Sequence, residues 1–201
     1  DDGYAIGIDA TTGELAWETE IFDYQVTPAG HSSGPIIANG KMISGRSCRP
    51  RGGPESCVVV AHDARTGEEL WRRRTIPAPG EPGDETWGGV AYEDRKHVGT
   101  WMPPSYDPEL GLIFAGVAVP VPWGSVQRGK VGDALYTNST LALDPLTGRM
   151  EWYFQHKPGE TLDLDNVYER VLIDVDDQQL LFTIGKDGLL WKLDRQTGAF
   201  I

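Results

Sequence analysis

Short apolar or alternating runs recur along the chain, and each one leads into an aspartate. Such runs occupy residues 4–8, 58–61, 140–143 and 189–193, and their pattern is typical of β-strands. The residues that follow have the form Asp-x-x-Thr-Gly-x-x-x-Trp at 9–17, 63–71 and 144–152. A fourth copy at 194–201 stops one residue before its tryptophan position. The pattern therefore predicts a repeated strand–turn–strand unit.

Each residue type in the repeat has a physical role in a turn between two strands. The aspartate can accept hydrogen bonds from backbone N–H groups further along the turn, and the glycine supplies the left-handed conformation that closes it. The tryptophan on the second strand offers a large surface to a neighbouring sheet. Because one hairpin cannot bury both of its faces, we expect the copies to stack on one another.

The spacing of the repeats indicates a β-propeller. The repeat aspartates are separated by 54, 81 and 50 residues, whereas a four-stranded blade takes about 40–50 residues. The two shorter intervals predict one blade each, and the longest predicts a blade plus an insertion, which we place near residues 75–104. We expect residues 1–201 to be an all-β, partial propeller of about three and a half blades. Open blades leave exposed strand edges, so the remaining blades are expected elsewhere, with self-assembly of copies as the alternative.

Composition and charge narrow the class of partner. The chain has 201 residues, of which 39% are hydrophobic and 24% charged, and a net charge of −12, which disfavours nucleic acid and anionic membranes. No stretch approaches the apolar length of a membrane span. Cys48 and Cys57 bracket a turn-rich segment that could bring their sulfurs together. A disulfide there would imply an oxidising compartment, with two free thiols as the alternative.

Further segments, together with the repeat, resemble the pyrroloquinoline quinone (PQQ)-dependent alcohol dehydrogenases of the methanol and ethanol dehydrogenase type. The repeat has the form of that family's tryptophan-docking motif. Trp101 opens a segment similar to the family's Trp-x-x-x-x-Tyr-Asp-Pro, residues 120–123 are similar to its Pro-Ala-Pro-Trp, and residues 185–188 to its Lys/Arg-Asn-Gly turn. These matches fall in family order. The resemblance implies a quinoprotein propeller that has eight blades when complete, with only about half of the ring present here.

The resemblance also implies roles for single residues around PQQ. Trp101 matches the tryptophan under the quinone ring, with ordinary core packing as the alternative. Lys186 matches the cation that reaches a quinone oxygen and stabilises negative charge there, with a hairpin charge as the alternative. Asp163 matches the catalytic base that takes the alcohol proton as hydride leaves. Ser32 and Ser47 lie near family positions that hold the PQQ carboxylates, although serines in such segments are usually turn residues.

The family's metal, Ca²⁺ or a lanthanide, is implied with departures from the usual ligands. Asp163 and Asp165 would face the same side of a strand, and an acid at the second position coordinates the metal in lanthanide-using members. A solvated acidic loop is the alternative. Val119 replaces the family's asparagine ligand, and Leu162 replaces the tryptophan before the base. Glu55 is the only acid where the family's glutamate ligand should lie, so the metal site is altered, supplied partly by Asp165, or lost.

We therefore expect a periplasmic or otherwise exported oxidoreductase that oxidises an alcohol to an aldehyde or ketone by hydride transfer to PQQ. Its electrons would pass to a cytochrome c or a quinone. No Cys-x-x-Cys-His motif for c-type haem attachment occurs in this sequence, and the 201 residues alone are not expected to bind PQQ well. One alternative is a non-catalytic scaffold or binding module that retains the repeat, which Val119 and Leu162 favour. Another is a quinoprotein that acts on a sugar or another non-alcohol substrate.

Overall fold

The computed structural model describes residues 3–28, 30, 32–48, 52–129 and 132–201. In this part of the chain the regular structure is almost entirely β, in five antiparallel sheets. The α-helix among the described residues, α1 (Ser125–Arg128), is a single turn. No helix that is described is long and apolar enough to cross a membrane. The all-β prediction is confirmed.

Two four-stranded sheets form complete blades, each a meander in which neighbouring strands pair antiparallel. The first blade consists of β3 (Ile36–Ala38), β4 (Lys41–Gly45), β5 (Val58–Asp63) and β6 (Glu69–Arg74). The second blade consists of β8 (Ser105–Asp107), β9 (Leu112–Val117), β11 (Ser139–Leu143) and β12 (Met150–Gln155).

Partial blades flank these two sheets. One contains β1 (Tyr4–Ile8) and β2 (Leu15–Glu20), and the other contains β13 (Val171–Val175), β14 (Gln178–Ile184) and β15 (Leu190–Asp194). A bridge between Leu193 and Phe200 marks the start of a fourth strand on the last sheet. The expected partial propeller is therefore present, with two whole blades and two incomplete ones.

The aspartates of the repeat organise the turns as the sequence predicts. Asp9 accepts the backbone N–H groups of Thr11 and Thr12 at 2.8 and 2.9 Å. Asp63 accepts the equivalent pair at the same distances. Gly13 has a φ of 75°, a left-handed conformation that costs glycine little. The same side-chain chemistry thus closes the hairpin in successive blades.

Each repeat tryptophan docks on the turn of the following repeat. The Nε1 of Trp17 donates to the carbonyl of Ala64 at 3.2 Å, and the Nε1 of Trp71 donates to the carbonyl of Pro145 at 2.9 Å. A Cβ added to Gly148 would lie 2.6 Å from the ring of Trp71, and one added to Gly198 would lie 2.5 Å from the ring of Trp152. The glycine therefore also provides space for the ring, which links neighbouring blades.

The core lies between the blades because successive residues of a strand face opposite sides of the sheet. Ile113, Ala115 and Val117 pack towards the first blade. Leu112 and Phe114, on the same strand, pack towards the last sheet. This two-sided burial explains why the inner strands are continuously apolar, whereas strands with one face in water alternate.

The segment between β6 and β8 covers the region near residues 75–104, where the sequence analysis places an insertion. It contains two 3₁₀ turns (Asp84–Trp87 and Tyr92–Asp94) and the short strand β7 (Lys96–His97), which pairs with β10 (Pro120–Val121). Trp87 is buried and donates through Nε1 to the carbonyl of Leu135 at 2.6 Å. The segment is therefore anchored on the second blade.

Cys48 and Cys57 form a disulfide across the connection between β4 and β5, with their Cα atoms 4.6 Å apart. Because β4 and β5 pair antiparallel, the two ends of the connection are already close together. The disulfide alternative of the sequence analysis is confirmed.

Candidate functional site

Two aspartates lie on the loop between β12 and β13, where the sequence predicts the catalytic base. Asp163 has a φ of 62°, and its side chain is 42% exposed. A left-handed conformation is uncommon for a residue with a Cβ, and such residues concentrate at functional sites. Asp165 is buried, with 3% of its side chain exposed. One carboxylate of the pair therefore faces solvent and the other faces the protein.

Lys186, on the turn between β14 and β15, connects these two carboxylates. Its Nζ lies 2.6 Å from Oδ2 of Asp165 and 3.2 Å from Oδ1 of Asp163. Its backbone N–H donates to the carbonyl of Asp165 at 2.9 Å. Burial disfavours the ammonium, but the hydrogen bonds to Asp165 and Asp163 outweigh it and raise the pKa of Lys186. We call these three residues the Asp163–Asp165–Lys186 cluster.

Asn138 holds the backbone on both sides of Asp165. Its side-chain amide donates to the carbonyl of Leu164 at 3.1 Å, and its Oδ1 accepts the N–H of Asn166 at 2.8 Å. Asn138 is fully buried and has a φ of 52°. Sequence reasoning assigned it no role in the site, because its contacts span 26 and 28 residues and leave no local pattern.

Arg170 supports the same loop through hydrogen bonds to backbone carbonyls. It is 3% exposed and donates to the carbonyls of Asn166, Ser139 and Tyr168. Burial lowers the pKa of Arg170 to about 9. A Cβ on Gly116 would lie 2.1 Å from the guanidinium, so this approach needs glycine at that position of β9.

Trp101 is half-buried and lies beside the loop that carries the cluster. Its ring meets the ring of Tyr168 edge to face, with the centroids 5.5 Å apart. Its Nε1 is buried and has no hydrogen-bond partner among the described residues. Tyr168 follows Asp165 by three residues, so the structure places Trp101 next to the acidic loop.

One candidate serine, and a neighbour of the other, contact the chain on either side of Trp101. Ser47 is buried, and its hydroxyl is 3.5 Å from the carbonyl of His97. Ser32 is exposed, and its neighbour Ser33 donates to the carbonyl of Met102 at 3.1 Å. The sequence analysis did not identify Ser33 or this contact. None of these contacts tests a role in holding PQQ carboxylates.

Glu55 is not brought to the cluster. Its carboxylate pairs with Arg74 at 3.1 Å and accepts the hydroxyl of Tyr92 at 2.5 Å. These contacts lower the pKa of Glu55. A metal-ligand role for Glu55 stays a prediction from the sequence, and the guanidinium of Arg74 already pairs with this carboxylate. Residues 49–51, in the segment where the family's glutamate was sought, lie outside the described residues.

The residues of the cluster, as arranged, do not fit the family's metal site. Hard cations such as Ca²⁺ take about six to eight oxygen ligands. Asp165 already binds the Lys186 ammonium through Oδ2, and its Oδ1 accepts the N–H of Val119 at 3.0 Å. The backbone N–H of Val119 is thus a hydrogen-bond donor beside Asp165, whereas a metal ion there would need further oxygen ligands. The cluster supplies two carboxylates, Asp163 and Asp165, and the ammonium of Lys186 contacts both of them.

The same residues do fit part of a quinone site. A flat quinone with carboxylates needs an aromatic surface and a cation near its oxygens. Trp101, whose buried Nε1 has no partner within the described part of the chain, and Lys186, held by two carboxylates, provide these two features. These residues account only for the aromatic surface and the cation of a quinone site.

The meandering blades and their docked tryptophans define the chain as part of a β-propeller. A family model described as "PQQ: Glucose/ethanol/alcohol dehydrogenase, beta-propeller domain" matches residues 7–201. The chain belongs to this PQQ β-propeller family, as its sequence motifs indicate. This finding confirms the family resemblance.

Curated and solved relatives agree with this assignment. The quinohemoprotein alcohol dehydrogenase ADH IIB of Pseudomonas putida is 34% identical over all of this chain and 31% of its own length. The quinoprotein alcohol dehydrogenase PedH of Pseudomonas putida is 31% identical over all of this chain and 36% of its length. The chain thus spans about a third of these relatives.

Solved structures give the same picture. The quinohemoprotein alcohol dehydrogenase of Comamonas testosteroni superposes with a TM-score of 0.82 at 28% identity, covering 100% of this chain and 32% of that one. A europium-containing methanol dehydrogenase superposes with a TM-score of 0.85 at 28% identity, covering 99% of this chain and 38% of that one. BamB from Moraxella catarrhalis, at 16% identity and a TM-score of 0.52, shares the fold alone.

Proposed function

We propose that the protein containing this chain is a PQQ-dependent dehydrogenase that oxidises an alcohol to an aldehyde or ketone. The observation that carries the proposal is the convergence of Asp163, Asp165 and Lys186, beside Trp101. Family membership supplies the cofactor class, and quinohemoprotein and quinoprotein relatives support the substrate class. The chain spans only about a third of those relatives, so the proposal concerns the whole protein.

PQQ, when bound, supplies a carbon that accepts hydride from the alcohol. The exposed carboxylate of Asp163 takes the proton from the substrate hydroxyl. The Lys186 ammonium orients that carboxylate and presents positive charge where negative charge develops. The ring of Trp101 provides a stacking surface, and its edge contact with Tyr168 keeps that surface aligned with the acidic loop. Ser32 and Ser47 are proposed only as donors to cofactor carboxylates.

Metal binding is the part of the family chemistry that this chain modifies. We propose that Asp163 and Asp165 are the acids available to Ca²⁺ or a lanthanide, and that Glu55 takes no part because it pairs with Arg74. The relative titled a europium-containing methanol dehydrogenase supports a lanthanide among the ions to test. Lys186 must move for either ion to bind both acids.

The location and the electron acceptor are proposed from the disulfide and from two further relatives. The disulfide between Cys48 and Cys57 suits a periplasmic or otherwise exported protein. One relative is an alcohol dehydrogenase (quinone) subunit from Gluconobacter oxydans, and another is a lupanine 17-hydroxylase [cytochrome c]. A quinone or a cytochrome c is accordingly proposed as acceptor. The name of the lupanine 17-hydroxylase also supports testing substrates other than alcohols.

The second candidate function is a non-catalytic propeller that binds a partner. Val119 presents no side-chain oxygen, and Leu162 is 74% exposed where the family has a tryptophan. Both departures favour loss of the chemistry. The Asp163–Asp165–Lys186 cluster argues against it, since a scaffold has no need for an exposed left-handed aspartate beside a lysine.

The test uses the full-length protein reconstituted with PQQ, with no added metal, with Ca²⁺ and with a lanthanide. Reduction of an artificial electron acceptor is followed with primary alcohols, secondary alcohols and sugars. In parallel, PQQ is titrated against tryptophan fluorescence, with the Trp101→Leu variant as the matched comparison. Turnover of an alcohol supports the enzyme. Tight PQQ binding that depends on Trp101, without turnover of any substrate, would indicate a cofactor-binding module. If the folded protein does not bind PQQ, the scaffold function is supported instead.

A further inference from the structure

A second group of ligand-type side chains lies in the core, away from the Asp163–Asp165–Lys186 cluster. The Sγ atoms of Cys48 and Cys57 and a ring nitrogen of His97 all lie within 4.8 Å of one another. All three residues are fully buried. Two sulfurs and one imidazole make the donor set of a Cys₂His zinc site, which takes water or a fourth ligand in its remaining position.

The hydrogen bonds of His97 fix which of its nitrogens can bind an ion. The hydroxyl of Thr75 donates to the carbonyl of Cys57 at 3.0 Å, since a carbonyl can only accept. The Thr75 oxygen is also 2.5 Å from Nε2 of His97, so that Nε2 carries the proton and donates to it. Nδ1 then holds a lone pair, and it has no hydrogen-bond partner among the described residues. Metal-bound histidines commonly show this arrangement, in which the second nitrogen donates to a fixed acceptor.

The surroundings suit a neutral metal complex. The disulfide packs in an apolar cluster with Ile76, Trp87 and Ala134. A divalent ion with two thiolates and one neutral imidazole carries no net charge, which keeps the cost of burial low. Burial holds His97 in its neutral form, lowering the pKa of His97 to about 3. The N–H of His97 already donates to Sγ of Cys48 at 3.2 Å, a contact that would also stabilise a thiolate.

We propose that Cys48, Cys57 and His97 form a Cys₂His site for Zn²⁺ when the disulfide is reduced. A dithiol reductant supplies two electrons and two protons, which break the S–S bond and give two thiols, while the reductant becomes a disulfide. Zn²⁺ then replaces the two thiol protons, which go to solvent. The ion binds both sulfurs and Nδ1 of His97. The disulfide and the zinc complex are alternative states of the same three residues, so that oxidation expels the ion.

The chain contains a matched histidine that isolates the role of the sulfurs. His156 is buried, its Nε2 lies 2.9 Å from the hydroxyl of Thr140, and its Nδ1 has no partner among the described residues. It therefore shares with His97 its burial, a threonine at Nε2 and an unpartnered Nδ1, whereas the two cysteines lie beside His97. A variant at His156 controls for the general cost of altering a buried histidine.

The experiment titrates Co²⁺, a spectroscopic substitute for Zn²⁺, into the whole protein under anaerobic conditions. The protein is tested oxidised and after reduction with a phosphine, and the Cys48→Ser variant assigns the signal to this pair. We expect thiolate-to-cobalt charge-transfer absorption at one equivalent in the reduced protein, its displacement by Zn²⁺, and no signal in the oxidised protein or in Cys48→Ser. The His97→Ala and Thr75→Val variants should weaken binding, the latter by about 10–100-fold. The His156→Ala variant should bind as the wild type does.

The absence of a Cys48-dependent signal in the reduced protein, folded or not, would overturn the proposal. The same holds if the His97→Ala variant binds as tightly as the His156→Ala variant. Circular dichroism checks the folding of each variant. If His97→Ala fails to fold, the Thr75→Val variant decides the question, because it keeps the shape of the side chain and removes the hydroxyl, which orients the imidazole and also donates to the carbonyl of Cys57.

Discussion

The Nζ of Lys186 lies 2.6 Å from Oδ2 of Asp165, so an ammonium stands against the carboxylate that an ion would use. The other oxygen of Asp165 accepts the N–H of Val119. Lys186 and Val119, which the sequence analysis matches to the family's asparagine ligand, thus engage the two oxygens of the same carboxylate. The ammonium of Lys186 balances the negative charge of the buried Asp165 carboxylate.

Replacing Lys186 with methionine should strengthen metal binding at Asp163 and Asp165. The change keeps the side-chain length and removes the positive charge, which leaves two close carboxylates unbalanced. We expect the affinity for Tb³⁺, read from luminescence sensitised by tryptophan, to rise about tenfold or more. Lys192→Met, on β15, is the matched control. Equal affinity of the Lys186→Met and wild-type proteins would contradict an ammonium that competes with the ion.

Replacing Asp163 with asparagine should abolish most of the proposed activity while PQQ binding persists. The amide keeps the size of the side chain but cannot take the substrate proton, and loss of general base catalysis costs about 10²–10⁴-fold in rate. Asp176→Asn is the control, because Asp176 is exposed and also has a positive φ, of 52°. Turnover is measured by acceptor reduction at saturating alcohol. A loss of equal size in both variants would indicate a general folding defect.

The fold could be predicted from the sequence because its determinants are local. Asp9 and Gly13 close their turn within one repeat, and the repeat itself exposes the periodic blades. The docking of Trp71 on the next turn follows from the same repeat, since each copy provides both a ring and a glycine that makes space for it. Short-range chemistry that recurs at a fixed interval is visible in one sequence.

The site could be predicted only in part because its determinants are distant in sequence. The turn that carries Lys186 and the loop that carries Asp163 both match family motifs, but the ion pair between them is a property of packing. The pairing of Glu55 with Arg74 depends on where β6 ends relative to the disulfide connection, which no local pattern encodes. Asn138 lies in an Asn-Ser-Thr triplet with no local signal for its contacts across the blade.

Replacing Asn138 with glycine should destabilise the loop that carries the cluster. Glycine tolerates the φ of 52°, so the change isolates the loss of two buried hydrogen bonds, to Leu164 and Asn166. Leaving these backbone groups unpaired costs about 1–3 kcal/mol in unfolding free energy. Asn39→Gly is the control, at an exposed turn with a φ of 50°. Denaturant unfolding checks the prediction, which fails if the two variants lose stability equally.

Replacing Gly148 with alanine should weaken the contact between the two complete blades. The new Cβ would lie 2.6 Å from the ring of Trp71, and forcing a methyl group into a packed interface costs about 1–3 kcal/mol. Gly40→Ala carries the same backbone penalty, since the φ values are 70° and 73°, but its Cβ would meet nothing within 4 Å. The difference in unfolding free energy between the two variants measures the clash. A difference near zero would mean that Trp71 can move away freely.

Buried histidines should make the protein less stable as the pH falls below about 6.5. Burial lowers the pKa of His97 to about 3, and burial with the charges of Arg170 and Lys157 lowers the pKa of His156 to about 2, from an ordinary value of 6.5. At a pH between the lowered pKa of each histidine and its ordinary pKa of 6.5, the unfolded chain binds a proton that the folded chain does not. Each histidine therefore removes about 1.4 kcal/mol of stability per pH unit, and neither has an effect above that range.

The His156→Gln variant isolates one of these contributions. Urea unfolding of the variant and the wild type is compared at about pH 7 and about pH 5, and the carboxylates that titrate in both proteins cancel in the difference. The loss of stability on acidification should be smaller in the variant by about 1.4 kcal/mol per pH unit below the ordinary pKa of histidine. An identical loss in both proteins would mean that His156 takes up its proton in the folded state, and that burial and the nearby charges do not hold it neutral.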